Sequence, residues 1–370
     1  MNNQRALFYP LLREAVPVIR YRQMVYPSWQ LDIVAAVSPP AYLAEGKDAA
    51  FLDEGEATGM LVSENFRKTA ENCDCVLLSD CGTWEYSEYL LEIVNNLIWA
   101  CKKRKNIYWI TKLPEPYHNF FSSYSQKYSV VFSELEKAPV FLEIRELRNL
   151  QPLQTPLLTI AGMNEDCGEF GLQLGIKQQL EKDGYRVSYV GSNRFAPLLG
   201  GYVFPQETLE SLPCSFEIKI KYLNAWLREI EIRESADLLL LGIPGGTMPI
   251  DEYNLNSGGY YAYLAGCAAS ADFGVLTLPC MEYPPAYFGQ CRDVLKHKFN
   301  LPADCLCLSN IRITPSVLTE MKITEEKDIF PQDKVEKVMD SYRKKGIFLL
   351  NAAKQITYEA ITQKLYDKLS

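Results

Sequence analysis

The chain has 370 residues, of which 48% are hydrophobic and 23% charged, and its formal net charge is −8. This length exceeds a usual single hydrophobic core, so we expect two domains of ordinary globular composition. The acidic balance excludes a basic surface for a phosphate backbone, so we expect no nucleic-acid partner. No run of about 18 apolar residues occurs, and the first residues lack a secretory signal, which predicts no membrane span and a cytoplasmic location.

The eleven cysteines are scattered, and an odd number without an export signal argues against a disulfide framework. The closest pairs are Cys73 with Cys75 and Cys305 with Cys307, each separated by one residue. Zinc and iron–sulfur sites usually show pairs separated by two residues, and the chain holds only two histidines. We therefore predict buried thiols, no metal site and no cofactor.

Strands and helices alternate through the first third of the chain. Short apolar runs predict strands at residues 6–9, 31–37, 75–79 and 107–111, and helical spacing is clear at 86–103. This alternation predicts a doubly wound parallel sheet. Asp80 and Cys81 follow the third strand, where such sheets open their ligand crevice, so they form a second candidate site. Capping of the next helix by Asp80 or Thr83 is the simpler interpretation.

The signal weakens between residues 114 and 156, where prolines, aromatic residues and charges mix. We place the junction of the two α/β domains there. The predicted organisation is an N-terminal Rossmann-like domain at 1–150, a P-loop-like α/β domain at 151–325 and a helical C-terminal tail at 326–370. The tail has two helical segments around residues 347–350, and packing onto the body or docking a partner both remain open.

The second domain opens with a strand, loop, helix and strand over residues 157–190, which has the length of a βαβ unit. Such a loop commonly cradles phosphates, but this one does not match the P-loop motif. With Gly168 as the second motif glycine, Met163 replaces the first, Glu169 the lysine and Phe170 the hydroxyl residue. The acids of the loop would also repel a triphosphate. We therefore predict a degenerate P-loop, no ATP hydrolysis and no nucleotide binding tighter than about millimolar.

Two further stretches follow predicted strands at the same sheet edge. Ser192 and Arg194 come after the second strand of the unit, and Arg194 could pair with the acidic loop or lie solvated on the surface. An apolar strand at 238–243 leads into a second glycine turn, and it should lie parallel to the strand at 157–161. The ligand-binding candidates are therefore Gly162, Asn164, Glu165, Asp166, Cys167, Gly168, Ser192, Arg194, Pro244, Gly245 and Gly246.

Several segments together resemble the bacterial peptide maturation system proteins. They are LFYP (7–10) with VPVIRY (16–21), SPP (38–40) with GKDAAFLDEG (46–55), GYRVSYVGS (184–192) and ADLLLLGIPGGTMPI (236–250). The resemblance spans nearly the whole chain. It implies a gene beside short ribosomally made peptide precursors and radical S-adenosylmethionine maturases, and it implies no reaction.

Two classes of function are consistent with these residues. The first is a non-catalytic accessory protein that binds the precursor peptide or a radical S-adenosylmethionine maturase, favoured because the sequence offers no evident nucleophile–base pair. The second is an enzyme or nucleotide-dependent switch that uses the degenerate loop. We predict that the acidic loop and the two glycine turns offer exposed backbone and negative charge to a peptide. In the alternative, Glu165 and Asp166 only cap the helix that begins near Glu169.

Overall fold

The computed structural model describes residues 3–79, 89–111, 113–137, 140, 142, 147, 149–314, 317–318, 323–324 and 327–370, with backbone alone at 317–318 and 323–324. The chain divides into two compact units. The first is Met1–Lys137 with Arg194–Gly200, and the second is Ala138–Asn193 with Gly201–Ser370. The predicted candidates Asp80 and Cys81 lie outside the described residues.

The first unit is built on a six-stranded parallel sheet. Its strands are β1 (Gln4–Tyr9), β2 (Leu31–Val37), β3 (Val62–Ser63), β4 (Cys75–Leu78), β5 (Asn106–Trp109) and β6 (Phe132–Glu134). Its helices are α1 (Val16–Arg20), α2 (Phe66–Ala70), α3 (Leu90–Lys102) and α4 (Glu115–Lys127). The order is β3-β2-β1-β4-β5-β6. The parallel arrangement predicted from the alternation of elements is confirmed.

The core of this unit follows directly from local spacing. Ile93, Leu97, Ala100 and Cys101 recur at helical intervals on α3 and are fully buried. They pack in one cluster with residues of β1 and β4, such as Val76. The helix thus covers one face of the sheet, as the apolar periodicity predicts.

The segment Arg194–Gly200 belongs to the first unit, although the flanking residues belong to the second. Trp29 donates its indole Nε1 to the Pro197 carbonyl at 3.0 Å, and the Tyr26 amide donates to the Leu198 carbonyl at 2.8 Å. The ring of Phe195 lies 6.1 Å from that of Phe8. These contacts assign the segment to the first unit.

The second unit contains a seven-stranded parallel sheet. Its strands are β7 (Leu157–Gly162), β8 (Val187–Gly191), β9 (Tyr202–Val203), β10 (Leu238–Gly246), β11 (Phe273–Leu278), β12 (Cys305–Leu308) and β17 (Leu350–Asn351). Their order is β17-β12-β11-β7-β10-β8-β9. Two antiparallel pairs follow β12, namely β13 (Ile311–Ile313) with β16 (Lys327–Ile329) and β14 (Val317–Leu318) with β15 (Ile323–Thr324).

The helices of the second unit are α5 (Glu169–Lys182), α6 (Gln206–Ser211), α7 (Phe216–Glu234), α8 (Tyr260–Ala268), α9 (Tyr287–Phe299), α10 (Gln332–Arg343) and α11 (Gln355–Leu369). The predicted parallel pairing of the runs at 157–161 and 237–241 is confirmed, because β7 and β10 pair from Leu157 with Leu239 to Ala161 with Ile243. Both strands are buried on both faces, which explains their unbroken apolar runs.

The C-terminal tail forms part of the second unit, which differs from the separate appendage predicted at 326–370. Strand β17 extends the sheet by pairing with β12, and the Tyr358 ring of α11 lies where a side chain on Gly175 of α5 would be. The absent side chain at Gly175 therefore makes room for the tail to pack. The boundary between the units also falls at 137/138 and not near 150.

Two other expectations concern burial and membranes. The thiols of Cys73, Cys75, Cys305 and Cys307 are buried, as predicted, and form no disulfide bonds. Across the described ranges, none of the helices combines the length and the apolar character that crossing a membrane requires.

Candidate functional site

The loop at 163–168 joins β7 to α5 at the carboxyl edge of the second sheet. Gly162 has no room for a side chain, because a Cβ there would lie 2.4 Å from the Asn164 carbonyl oxygen. Its own carbonyl accepts hydrogen bonds from the amide and the hydroxyl of Thr247, at 3.1 and 3.0 Å. Gly168 caps α5 in the left-handed conformation, with φ 78°, which glycine adopts at little cost. Glycine is therefore required at both positions.

Glu169, the first residue of α5, is the most unusual group in this loop. Its side chain points inward, and only 5% of the residue is exposed. Oε1 accepts a hydrogen bond from the Asp166 amide at 3.2 Å, whereas Oε2 is buried without a hydrogen-bond partner in the part of the chain that the structure describes. A Cβ on Gly162 would lie 3.4 Å from Oε2, so this oxygen is aimed at the end of β7.

Burial disfavours the charged form of Glu169 and raises the pKa of its carboxyl group to about 8. The negative charges of Asp166 and Glu165 add to this increase, and the ammonium of Lys327 opposes it. At neutral pH the larger share of Glu169 is therefore protonated. Strongly shifted carboxyl groups of this kind are concentrated at functional sites.

A cationic side chain from a distant part of the chain binds to this loop. Lys327, the first residue of β16, donates from Nζ to the Glu165 carbonyl at 3.0 Å and to Asp166 Oδ2 at 3.3 Å. The Lys327 side chain is only 15% exposed. Asp166 has a positive φ of 56°, an uncommon conformation outside glycine and asparagine. The ribbon that contains β16 thus holds an ammonium group against the acidic loop.

The buried residues of the loop are tightly packed. Cys167 is fully buried, and this burial raises the pKa of its thiol well above the ordinary value. Asn164 is 1% exposed. The stacked rings of Tyr283 and Tyr287 lie 5.0 Å apart, and both hydroxyls lie within hydrogen-bonding distance of the sulfur of Met163, at 3.8 and 3.6 Å. Cys167 is therefore a protonated structural thiol.

The second glycine turn adjoins the loop, as predicted. Gly246 pairs with Gly162 across β10 and β7, and Pro244 and Gly245 form an irregularity in that register. The prediction of exposed glycine backbone is wrong for Gly162 and Gly246, which are buried, and Gly168 and Gly245 are half-buried. The reason is packing, because a Cβ on Gly246 would meet the side-chain amide carbon of Asn256 at 2.3 Å.

The two predicted residues after β8 lie in different surroundings. Ser192 is fixed to α5, because its hydroxyl accepts from Nε2 of Gln173 at 2.8 Å and its amide donates to Oε1 at 3.3 Å. Arg194 begins the segment Arg194–Gly200, which belongs to the first unit.

The N-cap of α5 is Gly168, which has no side chain to cap the helix. The alternative that the charges of Glu165 and Asp166 stabilise the helix start stays a prediction. Comparison with the P-loop motif identified Glu169 only as the residue in place of the motif lysine, and it missed Lys327 entirely. Helical spacing locates Glu169 at the helix start, but no local signal reports its burial or the approach of a residue 161 positions away.

An open cavity lies elsewhere, in the first unit. Its volume is about 790 Å³, and charged residues of both signs line it, including Arg5, Glu64, Arg67 and Glu92. None of the predicted candidates within the described ranges lines this cavity. The described residues also contain no group of three or more histidine, cysteine, aspartate or glutamate side chains that could hold a metal ion.

The two parallel sheets and their helices define an α/β protein of the Rossmann-like class. A crystal structure of a DUF1611 family protein from Anabaena variabilis is similar, with a TM-score of 0.59 and 12% identity, over 98% of this chain and 100% of that chain. At this identity the likeness shows the fold alone. A point mutant of L. casei FPGS matches 56% of this chain and 63% of that chain at 10% identity, with a TM-score of 0.22 that carries no argument. No family model and no curated protein matches the sequence.

Proposed function

We propose that this chain is a non-catalytic accessory protein of a ribosomal peptide maturation system, and that it binds the precursor peptide at the carboxyl edge of the second sheet. The observation that carries the proposal is the buried Glu169 at the position where a phosphate-binding loop has its lysine. The resemblance of sequence segments to peptide maturation system proteins supplies the class of partner.

Charge favours a peptide over a phosphate ligand. Glu165, Asp166 and Glu169 all lie within one turn of the start of α5, where a phosphate would otherwise meet free amides and the positive helix end. Bringing a phosphate near Glu165 and Asp166 costs free energy, whereas an ammonium or an amide donor is attracted to them. An unpartnered buried oxygen also makes a donor-bearing ligand favourable, because unsatisfied buried groups are costly.

The chemistry of the loop is unsuited to nucleophilic catalysis. Burial keeps the Cys167 thiol protonated, and a thiol is a poor nucleophile without conversion to thiolate. His118 lies on α4 of the first unit, and His297 is exposed in the last turn of α9. Binding without reaction is the role that these groups support.

The alternative is a nucleotide-dependent enzyme or switch that uses a degenerate P-loop. One observation favours it, namely that Lys327 brings an ammonium group to the loop in place of the missing motif lysine. The left-handed Gly168 at the start of α5 is also typical of loops that wrap a phosphate. The two proposals predict opposite ligands and can be separated directly.

The test is calorimetric titration of the purified protein with the precursor peptide encoded beside the gene. We expect micromolar binding by the wild type. The double variant Glu165→Gln with Asp166→Asn should bind about tenfold more weakly, since charge-assisted hydrogen bonds contribute about 1.5–3 kcal/mol. The variant Glu359→Gln, an exposed position on α11, is the matched control and should bind as the wild type does.

Parallel titrations with ATP, GTP and S-adenosylmethionine, with and without magnesium, address the alternative. We expect dissociation constants of about millimolar or weaker. Micromolar nucleotide binding without peptide binding would favour the switch. Retention of the maturase in a pull-down without peptide binding would instead identify the maturase as the partner.

A further inference from the structure

The free protein already holds an alkylammonium group on its acidic loop. Lys327 Nζ lies 3.0 Å from the Glu165 carbonyl oxygen and 3.3 Å from Asp166 Oδ2. The lysine is delivered by a two-stranded antiparallel ribbon, in which it pairs with Ile313 of β13. The geometry of the loop is therefore suited to a primary ammonium on a flexible aliphatic stem.

A second observation shows that this internal ammonium leaves the loop incompletely satisfied. Oε2 of Glu169 is buried and has no hydrogen-bond partner among the described residues, and only 5% of the residue is exposed. Buried polar atoms in native proteins are nearly always hydrogen-bonded, so an exception of this kind needs an explanation. A ligand that places a donor at this loop would provide one.

We propose that the loop from Met163 to Glu169 is a recognition subsite for a primary ammonium group, supplied by a lysine side chain of the bound peptide that donates to Oε2 of Glu169. In the free protein Lys327 occupies only the part of this subsite at Glu165 and Asp166 and leaves Oε2 without a partner. The inference rests on the proposed function, because it names the peptide group that the same edge of the sheet selects. Lys327 is then an internal competitor that the ligand displaces.

Competition sets the apparent affinity. A ligand that binds only when Lys327 has left the loop has an apparent affinity proportional to the fraction of molecules that are open, so a small open fraction weakens binding. Removing the competitor raises that fraction and tightens binding without a new contact. A substitution of similar shape, Lys327→Met, keeps the aliphatic stem against the ribbon while removing the ammonium.

The subsite should also be linked to protons. The charged and titratable groups that act on Glu169 are Asp166, Glu165 and Cys167 of its own loop and Lys327 of the ribbon. Burial raises the pKa of Glu169 to about 8. An ammonium that donates to Oε2 favours the charged form more than the displaced Lys327 does, because Lys327 leaves Oε2 without a hydrogen bond. Ligand binding should therefore release part of a proton near neutral pH, and affinity should rise as the pH approaches 8.

The experiment uses a blocked pentapeptide of four glycines with a central lysine, and a matched peptide with norleucine in place of the lysine. Each is titrated calorimetrically into the full-length wild type, Lys327→Met and Lys337→Met. Lys337 is an exposed lysine on α10, with 78% of its side chain exposed, and its variant is the control. We expect the lysine peptide to bind Lys327→Met about tenfold more tightly than the wild type or the control. The norleucine peptide should not distinguish the three proteins.

Two further measurements keep the inference open to contradiction. Lys327→Arg retains a cation and should bind the lysine peptide close to the wild-type affinity, which covers the case in which Lys327→Met fails to fold. Titration of the wild type in two buffers with different ionisation enthalpies should show proton release, and Glu169→Gln should show none.

The inference is overturned if Lys327→Met binds the lysine peptide no more tightly than the wild type, or if both peptides bind alike. Its failure can be told from failure of the proposed function by titrating the precursor peptide in the same series. Precursor binding without discrimination between lysine and norleucine rejects the subsite alone. Discrimination without precursor binding supports the subsite and rejects the proposed partner.

Discussion

Two acidic residues at opposite edges of the second sheet have opposite environments. Asp237 lies just before β10 at the amino edge. Its carboxylate accepts hydrogen bonds from the backbone amide of Arg186 at 2.8 Å and from the Arg186 guanidinium at 3.1 and 2.8 Å. These side-chain bonds lower the pKa of Asp237 to about 2. Glu169 at the carboxyl edge has one backbone hydrogen bond, an unpartnered oxygen and a pKa of about 8.

The difference shows that the carboxyl group at the amino edge has its hydrogen-bond partners and that the carboxyl group at the carboxyl edge lacks one. The pair at the amino edge favours the charged acid in the folded state and so favours folding. The buried acid at the carboxyl edge disfavours folding whenever it is ionised, and natural proteins keep such costs chiefly at functional sites. The carboxyl edge is therefore where we expect the ligand, and the following variants break or sharpen this contrast.

The largest expected effect is a pH dependence of stability caused by Glu169. Because its pKa is raised in the folded state, the folded protein binds more protons than the unfolded chain between about pH 4.5 and about pH 8. Stability should fall as the pH rises through this window, by up to about 1.4 kcal/mol per pH unit. Glu169→Gln should flatten this slope in urea denaturation and be more stable than the wild type near pH 8. The control Glu359→Gln should keep the wild-type slope, and an unchanged slope in Glu169→Gln would contradict the assignment.

The second prediction concerns the glycine beneath the loop. Gly162→Ala places a methyl group 2.4 Å from the Asn164 carbonyl oxygen and 3.4 Å from Oε2 of Glu169. We expect a loss of about 2 kcal/mol in the free energy of unfolding, which is typical of overpacking. Gly289→Ala on α9 is the matched control, because no atom lies within 4 Å of the added Cβ. It should gain up to about 1 kcal/mol from helix propensity. Equal stabilities for the two variants would show that the loop adapts freely.

The third prediction separates the charges around Glu169. Asp166→Asn removes a neighbouring negative charge and should lower the pKa of Glu169, whereas Lys327→Met removes the opposing cation and should raise it. The measurement is the carboxyl carbon chemical shift of Glu169 followed by NMR through a pH titration. Shifts of the same sign in both variants would refute the electrostatic account.

The smallest effect is expected at the amino edge. Asp237→Asn loses charge-assisted hydrogen bonds with Arg186, but the pair is exposed, with 39% and 69% of the two side chains accessible. Exposed pairs contribute little because water screens them. The lowered pKa means that this contribution is present above about pH 4 and is lost as the pH falls through about 2. Urea midpoints of variant and wild type should differ slightly near neutral pH and converge in acid; a large, pH-independent loss would show a structural role beyond the ion pair.

Much of the fold was predictable because its signals are local. The runs that became β7 and β10 are continuous stretches of apolar residues, and the helix that begins at Glu169 shows its spacing within a few residues. The segment around Pro197 was not predictable in this way. Its partner Trp29 is 168 positions away, so no pattern inside the segment reports the contact.

The candidate site also has features that the sequence predicted and features that it did not. The sequence located the loop, its two required glycines and the acid in place of a lysine, because these depend on chain order and on residue type. Exposure of the second glycine turn was predicted wrongly, since packing of Asn256 against Gly246 depends on how the chain folds back. Lys327 was missed because it reaches the loop through a ribbon 161 positions from Asp166.

The amino-acid sequence by itself thus determined the alternation of strands and helices, the parallel sheets and a loop without the lysine and hydroxyl residue of the P-loop motif. Short-range sterics and apolar periodicity decide such features. Only the tertiary structure decided that Glu169 is buried, that its pKa is raised to about 8 and that a lysine of the same chain lies against its loop. Desolvation and charge–charge interaction depend on distances in space, and residues far apart in the chain set those distances.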